Sequence, residues 1–231
     1  MDKINLLITG GSGTLGKEII GLINLNKYNL YAPTSRELDI TNYMSVQESF
    51  AMFKPNIVIH SAAYVNNKES EIKYLKSINT NIIGTCNIIN ACSIYDAKIN
   101  FISSDYVFDG EKGSYDTTDL INPKTNYAKS KAAGEFATQM YPKSLVIRTS
   151  FYAYSFPYEF AFEDQWSSKD YVDKIAPKIL DLCLSNKTGI VHCGNKRRTI
   201  YEIALETKKD VKKSKRDSVK YYIPKDTSFK E

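Results

Sequence analysis

The sequence predicts an α/β fold, a doubly wound parallel sheet with a small C-terminal lobe set against it. Three observations predict it: short apolar runs alternate with amphipathic stretches long enough for crossover helices, those runs are rich in Ile and Val, and the first leads straight into a glycine-rich turn. Strands buried on both faces read as unbroken apolar runs, which a parallel sheet between helix layers requires. With 231 residues, 42% hydrophobic and 25% charged, the chain can build one sizeable α/β core but not two large domains.

Each element has a local reason. The first strand spans residues 4–9, and Gly10, Gly13 and Gly16 follow at the spacing of a phosphate-binding turn that opens a helix over 15–25. Glycine is needed where backbone turns tightly and approaches an anion without a Cβ in the way, and the helix start then offers free N–H groups. Strands at 29–32 and 56–60 flank a helix at 45–53. Residues 71–95 carry helical apolar spacing at Leu75, Ile78, Ile82, Ile88 and Ile89, and one long helix is expected there. A strand at 100–103 ends on Ser103-Ser104, a helix covers 126–140, and a strand at 145–148 completes the alternation. Beyond Arg148 the pattern weakens into an aromatic-rich stretch at 151–158, followed by a helix over about 169–184 that Pro177 kinks or shortens. A short strand at 190–192 comes next, and the capping-box spacing of Thr199 and Glu202 opens a last helix. Residues 1–150 are therefore read as the nucleotide-binding domain and 151–231 as a lobe that is not an independent domain.

Composition excludes several classes. No apolar run is long enough to span a bilayer and the N-terminus lacks a signal-peptide pattern, so a cytoplasmic protein with no membrane partner is expected. Cys86, Cys92, Cys183 and Cys193 show neither metal nor disulfide spacing, so buried thiols and no metal are expected. The net charge of +5 gathers in Lys208, Lys209, Lys212, Lys213, Lys215 and Arg216. Without interleaved aromatics this run reads as a solvated helix end, and no nucleic-acid partner is expected.

The chemistry centres on Tyr127 and Lys131, whose i, i+4 spacing puts phenol and ammonium on one helix face. A nearby cation lowers a phenol's pKa from about 10, which would make Tyr127 a usable proton donor or acceptor. Taken singly, Ser104 could terminate its strand, Tyr127 could be packing and Lys131 a solvated lysine; their joint order on the expected elements favours catalysis. After the second strand the chain reads Thr34-Ser35-Arg36, with no acidic residue to accept a ribose hydroxyl. A cation there suits a 2′-phosphate, so NADPH is preferred, with NADH as the alternative.

Taken together, Thr9 to Gly16, Leu38-Asp39-Ile40, His60 to Tyr64, Asn81 to Thr85, Ser103-Ser104-Asp105-Tyr106-Val107-Phe108-Asp109-Gly110 and Tyr127 to Lys131 resemble the extended short-chain dehydrogenase/reductases. The nearest branch is the dTDP-4-dehydrorhamnose reductases, and the resemblance runs through about the first 150 residues. It implies a Rossmann-like sheet in which Ser104 hydrogen-bonds a substrate carbonyl, Tyr127 gives it a proton, and Lys131 binds the nicotinamide ribose. It implies a cofactor held by Gly10, Gly13, Thr14, Leu15 and Gly16, with Ser35, Arg36, Asp39 and Ile40 toward the adenine end. Ala62, Ala63 and Tyr64 would line it, Asn81 would brace the site, and Tyr106 and Phe151 are read as substrate neighbours. The implied reaction is NADPH-dependent reduction of a 4-keto-6-deoxy nucleotide sugar for glycan precursors. Homodimers are common in such folds, although the sequence carries no interface signature.

The chain departs from that family between Arg148 and Asp164, where it is shorter, at Asn66-Asn67-Lys68 in place of an acidic residue, and at Trp166-Ser167-Ser168 in place of a Gly-Ser-Pro-Thr-like run. These departures fall in substrate recognition. They leave open a non-catalytic NAD(P)-binding regulatory subunit, and a nucleotide-sugar epimerase or dehydratase.

Overall fold

A computed structural model describes residues 3–230. Six strands form one sheet: β1 (Ile4–Thr9), β2 (Tyr28–Tyr31), β3 (Ile57–His60), β4 (Lys98–Ile102), β5 (Ser144–Thr149) and β6 (Gly189–Cys193). Their order is β6-β5-β4-β3-β1-β2, and every neighbouring pair is parallel. Alternating side chains of one strand serve opposite faces. Leu6 and Ile8 of β1 pack with Leu15 and Ile19 of α1 (Thr14–Leu22) and with Ile175 and Ile179 of the helix Val172–Leu184, whereas Leu7 packs with Val46 and Phe50 of α2 (Tyr43–Phe53). Two apolar layers result, one on each face of the sheet, as the doubly wound reading requires.

The long helix expected at 71–95 is divided. A separate turn at Asn67–Ser70 precedes it, capped by the Asn66 side chain. Helix α3 then runs as α-helical Tyr74–Ser77, π-helical Ile78–Ile83 and α-helical Gly84–Ile94. The wider π turn inserts a residue into the repeat, so a single apolar stripe does not persist along it. Ile88 is buried, but Leu75 and Ile78 face outward. Helix α4 (Asn126–Gln139) starts where expected, with the Thr125 hydroxyl accepting from Ala128 N at 3.2 Å.

Helix α5 (Val172–Leu184), which packs in the core beside β1, begins later than residue 169 and contains Pro177, whose missing N–H leaves the Asp173 carbonyl without its intrahelical donor. Helix α6 (Ile200–Leu205) carries the expected capping box between Thr199 and Glu202. The basic tail is not a solvated helix end. Residues Lys212–Ser214 pair in parallel with Phe160–Phe162, and Lys212, Lys213 and Arg216 meet Glu159, Glu163 and Asp164. Acidic partners distant in sequence turn a like-charged run into a strand. The chain then returns beneath the sheet's carboxyl edge: Asp226 N donates to Gly110 O at 2.9 Å and Thr227 N to Trp166 O at 3.0 Å.

No helix among the described residues is long and apolar enough to cross a membrane. All four cysteines are free, and Cys92, Cys183 and Cys193 are buried.

Candidate active site

From β1 the chain winds outward to β2 in one direction and to β3 in the other, so a crevice opens beyond their carboxyl ends. A cleft of about 1100 Å³ begins there. Its first wall is the glycine turn. Gly10 has φ +74°, and a Cβ there would stand 2.7 Å from Ala62 N; a Cβ on Gly16 would overlap the Gly10 carbonyl oxygen. Helix α1 has no side-chain cap and no acidic residue in its first turn. Thr14, Leu15 and Gly16 of that turn line the cleft, where uncapped N–H groups and the positive end of the helix dipole suit an anion.

Ser104, Tyr127 and Lys131 line the middle of the same cleft. Ser104 follows β4; its hydroxyl donates to Asp105 Oδ1 at 3.3 Å and accepts from Tyr106 N at 3.2 Å. Burial pushes the Tyr127 phenol up to about 12, with the Ser104 hydroxyl pulling the other way and the Asp105 charge adding to the rise. The expectation that Lys131 holds this phenol below 10 is therefore corrected. Lys131 is itself buried, and loss of water brings it down to about 7, against the opposing pull of Glu135. Its ammonium lies 4.1 Å from the Phe101 ring centroid. Half neutral near pH 7, the lysine cannot outweigh what desolvation does to the phenol.

Asp105 is buried and accepts from Thr227 Oγ1 at 2.7 Å and Ser167 Oγ at 3.3 Å, so the returning C-terminal segment fixes the carboxylate beside Ser104. Behind it, Ser103 Oγ donates to Glu135 Oε2 at 2.8 Å, and Glu135 pairs with Arg148.

The other predicted residues divide. Gly10, Gly13, Thr14, Leu15, Gly16, Ala63, Tyr106 and Phe151 line the cleft. Ser35, Arg36 and Asp39 are exposed in the turns after β2, outside that lining, and Ile40 is buried with its carbonyl accepting from Asn87 Nδ2 at 2.9 Å. Ala62 is half-buried behind Gly10, and the Tyr64 phenol donates to Glu69 Oε2 at 2.5 Å. Asn81 sits in the π segment; Oδ1 accepts from Tyr64 N at 2.7 Å while Nδ2 donates to Tyr64 O at 3.0 Å and Ser130 Oγ at 2.8 Å. It joins the loop after β3 to α4, and both of its amide protons are used.

Sequence reading gave no site role to Thr149, Gln165 or Lys169, which line the cleft, and quoted Asp105 only as part of the motif around Ser104. Thr149 Oγ1 is buried at the end of β5 with no protein partner, and its residue lines the cleft. A buried hydroxyl left open in this way suits a polar ligand group. Nothing local marks it; only the pairing of β5 with β4 brings it beside Ser104. Lys169 carried a signal, since it follows the run in which the chain departs from its family. The glycine cradle, the uncapped helix start and this hydroxyl together fit a dinucleotide laid across the sheet edge.

A parallel sheet with this crevice, and a serine, a tyrosine and a lysine meeting in it, has the architecture of a short-chain dehydrogenase/reductase. The chain belongs to the family described as the RmlD substrate binding domain, which it matches over residues 4–222. It is 40% identical over 148 residues to a dTDP-4-dehydrorhamnose reductase of Aggregatibacter actinomycetemcomitans, covering 63% of this chain and 50% of that protein. Over 148 residues it is 36% identical to the spore coat polysaccharide biosynthesis protein SpsK of Bacillus subtilis, covering 63% of this chain and 52% of that one. The chain thus spans about half the length of these two curated relatives. The crystal structure of dTDP-4-dehydrorhamnose reductase from Bacillus anthracis in complex with NADP matches it with a TM-score of 0.91 at 29% identity, over 99% of this chain and 90% of that one.

Proposed function

We propose that this protein is a cytoplasmic NADPH-dependent reductase that converts the C=O of a 4-keto-6-deoxy nucleotide sugar to CH–OH, for deoxysugar donors of glycan synthesis. The observation that carries the reading is that Ser104, Tyr127 and Lys131 share one cleft with the uncapped Gly10–Gly16 turn. The Bacillus anthracis relative binds NADP. In this chain Gly10, Gly13, Thr14, Leu15 and Gly16 receive the pyrophosphate, and Ser35 and Arg36 meet the 2′-phosphate. Asp39 and Ile40 stand at the adenine end, and Ala62, Ala63, Tyr64 and the brace Asn81 shape the middle.

NADPH supplies the hydride. The residues supply placement and a proton: Ser104 and Tyr127 hydrogen-bond the carbonyl oxygen, and as charge develops on it Tyr127 releases its proton there. A phenol pushed up to about 12 is fully protonated at neutral pH, so it enters as a donor. Lys131, protonated below about 7 in the free protein, offsets the phenolate that remains. Tyr106 and Phe151 flank the substrate.

Purified protein mixed with NADPH and a dTDP-4-keto-6-deoxy sugar should lose absorbance at the nicotinamide band; no loss across dTDP, UDP and GDP sugars would reject the reading. A homodimer belongs to it as well, supported by the exposed Leu75, Ile78 and Ile83 of α3 and the exposed Phe136 of α4. Sedimentation equilibrium reporting a monomer at micromolar protein would remove that part.

A further inference from the structure

Past the Ser104–Tyr127 pair, the cleft continues into a region that carbonyl reduction does not use. Its wall is aromatic, and its rings form a path outward: Tyr152 meets Phe156 edge-on with centroids 5.1 Å apart, and Phe156 meets Tyr158 at 5.5 Å. Phe156 is buried, whereas Tyr158 is 61% exposed, so the path ends at the mouth of the cleft.

One cation stands where this path begins. Lys169 is half-buried, lines the cleft, and holds its ammonium 4.5 Å from the Tyr152 ring centroid. Among the described residues it makes no ion pair. The two acidic residues that share the cleft are already engaged: Glu159 with Lys212 at 2.7 Å, and Asp105 with the hydroxyls of Thr227, Ser167 and Ser104. The backbone of Lys169 is fixed on both sides, its N–H donating to Ser167 Oγ and its carbonyl accepting from Arg198 Nη2, each at 3.1 Å. Its charge reaches Tyr106, the residue next to Asp105, and opposes the rise that burial imposes on that phenol. The aromatic face satisfies part of the ammonium's electrostatic demand, but an ammonium has three donors and a ring accepts none of them strongly.

Chemistry along the cleft therefore runs in a fixed order: a hydroxyl pair suited to a carbonyl, then a pre-positioned cation, then rings of rising exposure. A nucleoside-diphosphate sugar has the complementary order of keto sugar, diphosphate and planar base. We propose that Lys169 holds the diphosphate of the substrate while the Tyr152–Phe156–Tyr158 path receives its base, an assignment that rests on the reductase reading for the sugar end. Phosphoryl oxygens accept the charge-assisted hydrogen bonds that Tyr152 cannot, and planar rings stack on aromatic side chains.

Calorimetric titration of the full chain with thymidine diphosphate, thymidine and NADPH tests this. Lys169→Met should weaken thymidine diphosphate by about tenfold or more, leave NADPH within about twofold, and leave thymidine unchanged. Lys169→Arg should restore most of the diphosphate affinity, and rising salt should weaken the wild type more than Lys169→Met. Unchanged thymidine diphosphate binding in Lys169→Met overturns the assignment, as does a parallel loss of thymidine and thymidine diphosphate, which would mean a collapsed pocket. If the wild type binds thymidine diphosphate through Lys169 yet never oxidises NADPH with keto sugars, the diphosphate site stands and the reductase reading falls. Turnover with an unaltered KM in Lys169→Met removes the diphosphate site alone.

Discussion

Among single residues, Asp105 shows how a side chain of the candidate site can be held from a distance. Its carboxylate is buried beside Ser104 and takes its strongest hydrogen bond, 2.7 Å, from Thr227, a residue 122 positions further along the chain. Thr227→Val keeps the shape and removes the donor, leaving a buried carboxylate short of one hydrogen bond. The expected loss is about 1–3 kcal/mol in urea denaturation, with a larger drop in kcat than in NADPH affinity because the disturbed group adjoins Ser104. A variant as stable as the wild type would show that Asp105 is satisfied without the tail. Ser104, Tyr127 and Lys131 were legible in the sequence because each signal is local: a strand end, and an i, i+4 pair on one helix. Thr227, Thr149 and the rise in the Tyr127 pKa were not, since partner and burial are properties of chain segments brought together only by folding.

Between elements, the strongest tie near the site joins α4 to β5. Arg148 and Glu135 are 3% and 0% exposed, Nη2 stands 2.5 Å from Oε1, and Nε reaches both carboxylate oxygens at 3.0 and 3.2 Å. Because α4 also carries Tyr127 and Lys131, this pair sets their height above the sheet edge. Removing one charge of a buried pair strands the other, so Glu135→Gln should destabilise the fold by about 3–5 kcal/mol by thermal or urea unfolding. A change below about 1 kcal/mol would mean that the guanidinium finds water in place of the carboxylate. The main strands were readable because apolar runs bounded by turn residues need no tertiary context. The π segment of α3 and the Lys212–Ser214 strand were not: one depends on Asn81 turning inward to Tyr64 and Ser130, the other on acidic partners fifty or so positions earlier. Of the aromatic residues at 151–158, only Phe151 was read as a substrate neighbour; that Tyr152, Phe156 and Tyr158 also line the cleft was not legible.

At the scale of the whole molecule, protonation links the site to stability. The chain has two histidines. His60 is brought down to about 3 by burial, aided by Lys131, and His192 to about 4 by burial and Arg148. Hydrogen bonds fix the tautomer of His60: Thr85 gives its proton to Asn81 O, so His60 Nε2–H donates to Thr85 Oγ1, and Thr9 Oγ1–H donates to Nδ1. Both folded values lie below the unfolded value of about 6.5, so the unfolded chain binds more protons, and the stability from these neutral rings, complete above pH 6.5, is lost as pH falls toward 3 and 4. Lys131, about 7 when folded against about 10.4 unfolded, acts in the same direction, its share growing as pH rises from 7 to 10. Melting temperature should therefore climb steadily from pH 5 to pH 9, and His60→Gln should flatten the acid limb. A maximum at or below pH 6 would contradict these assignments.

The central claim is that Tyr127 delivers the proton to a carbonyl held in this cleft, and Tyr127→Phe addresses it with the smallest change of shape. NADPH oxidation with a dTDP-4-keto-6-deoxy sugar should fall by about 10²–10⁴ in the variant while NADPH binds within about twofold of wild type. Turnover in Tyr127→Phe within about threefold of a demonstrably active wild type would contradict it.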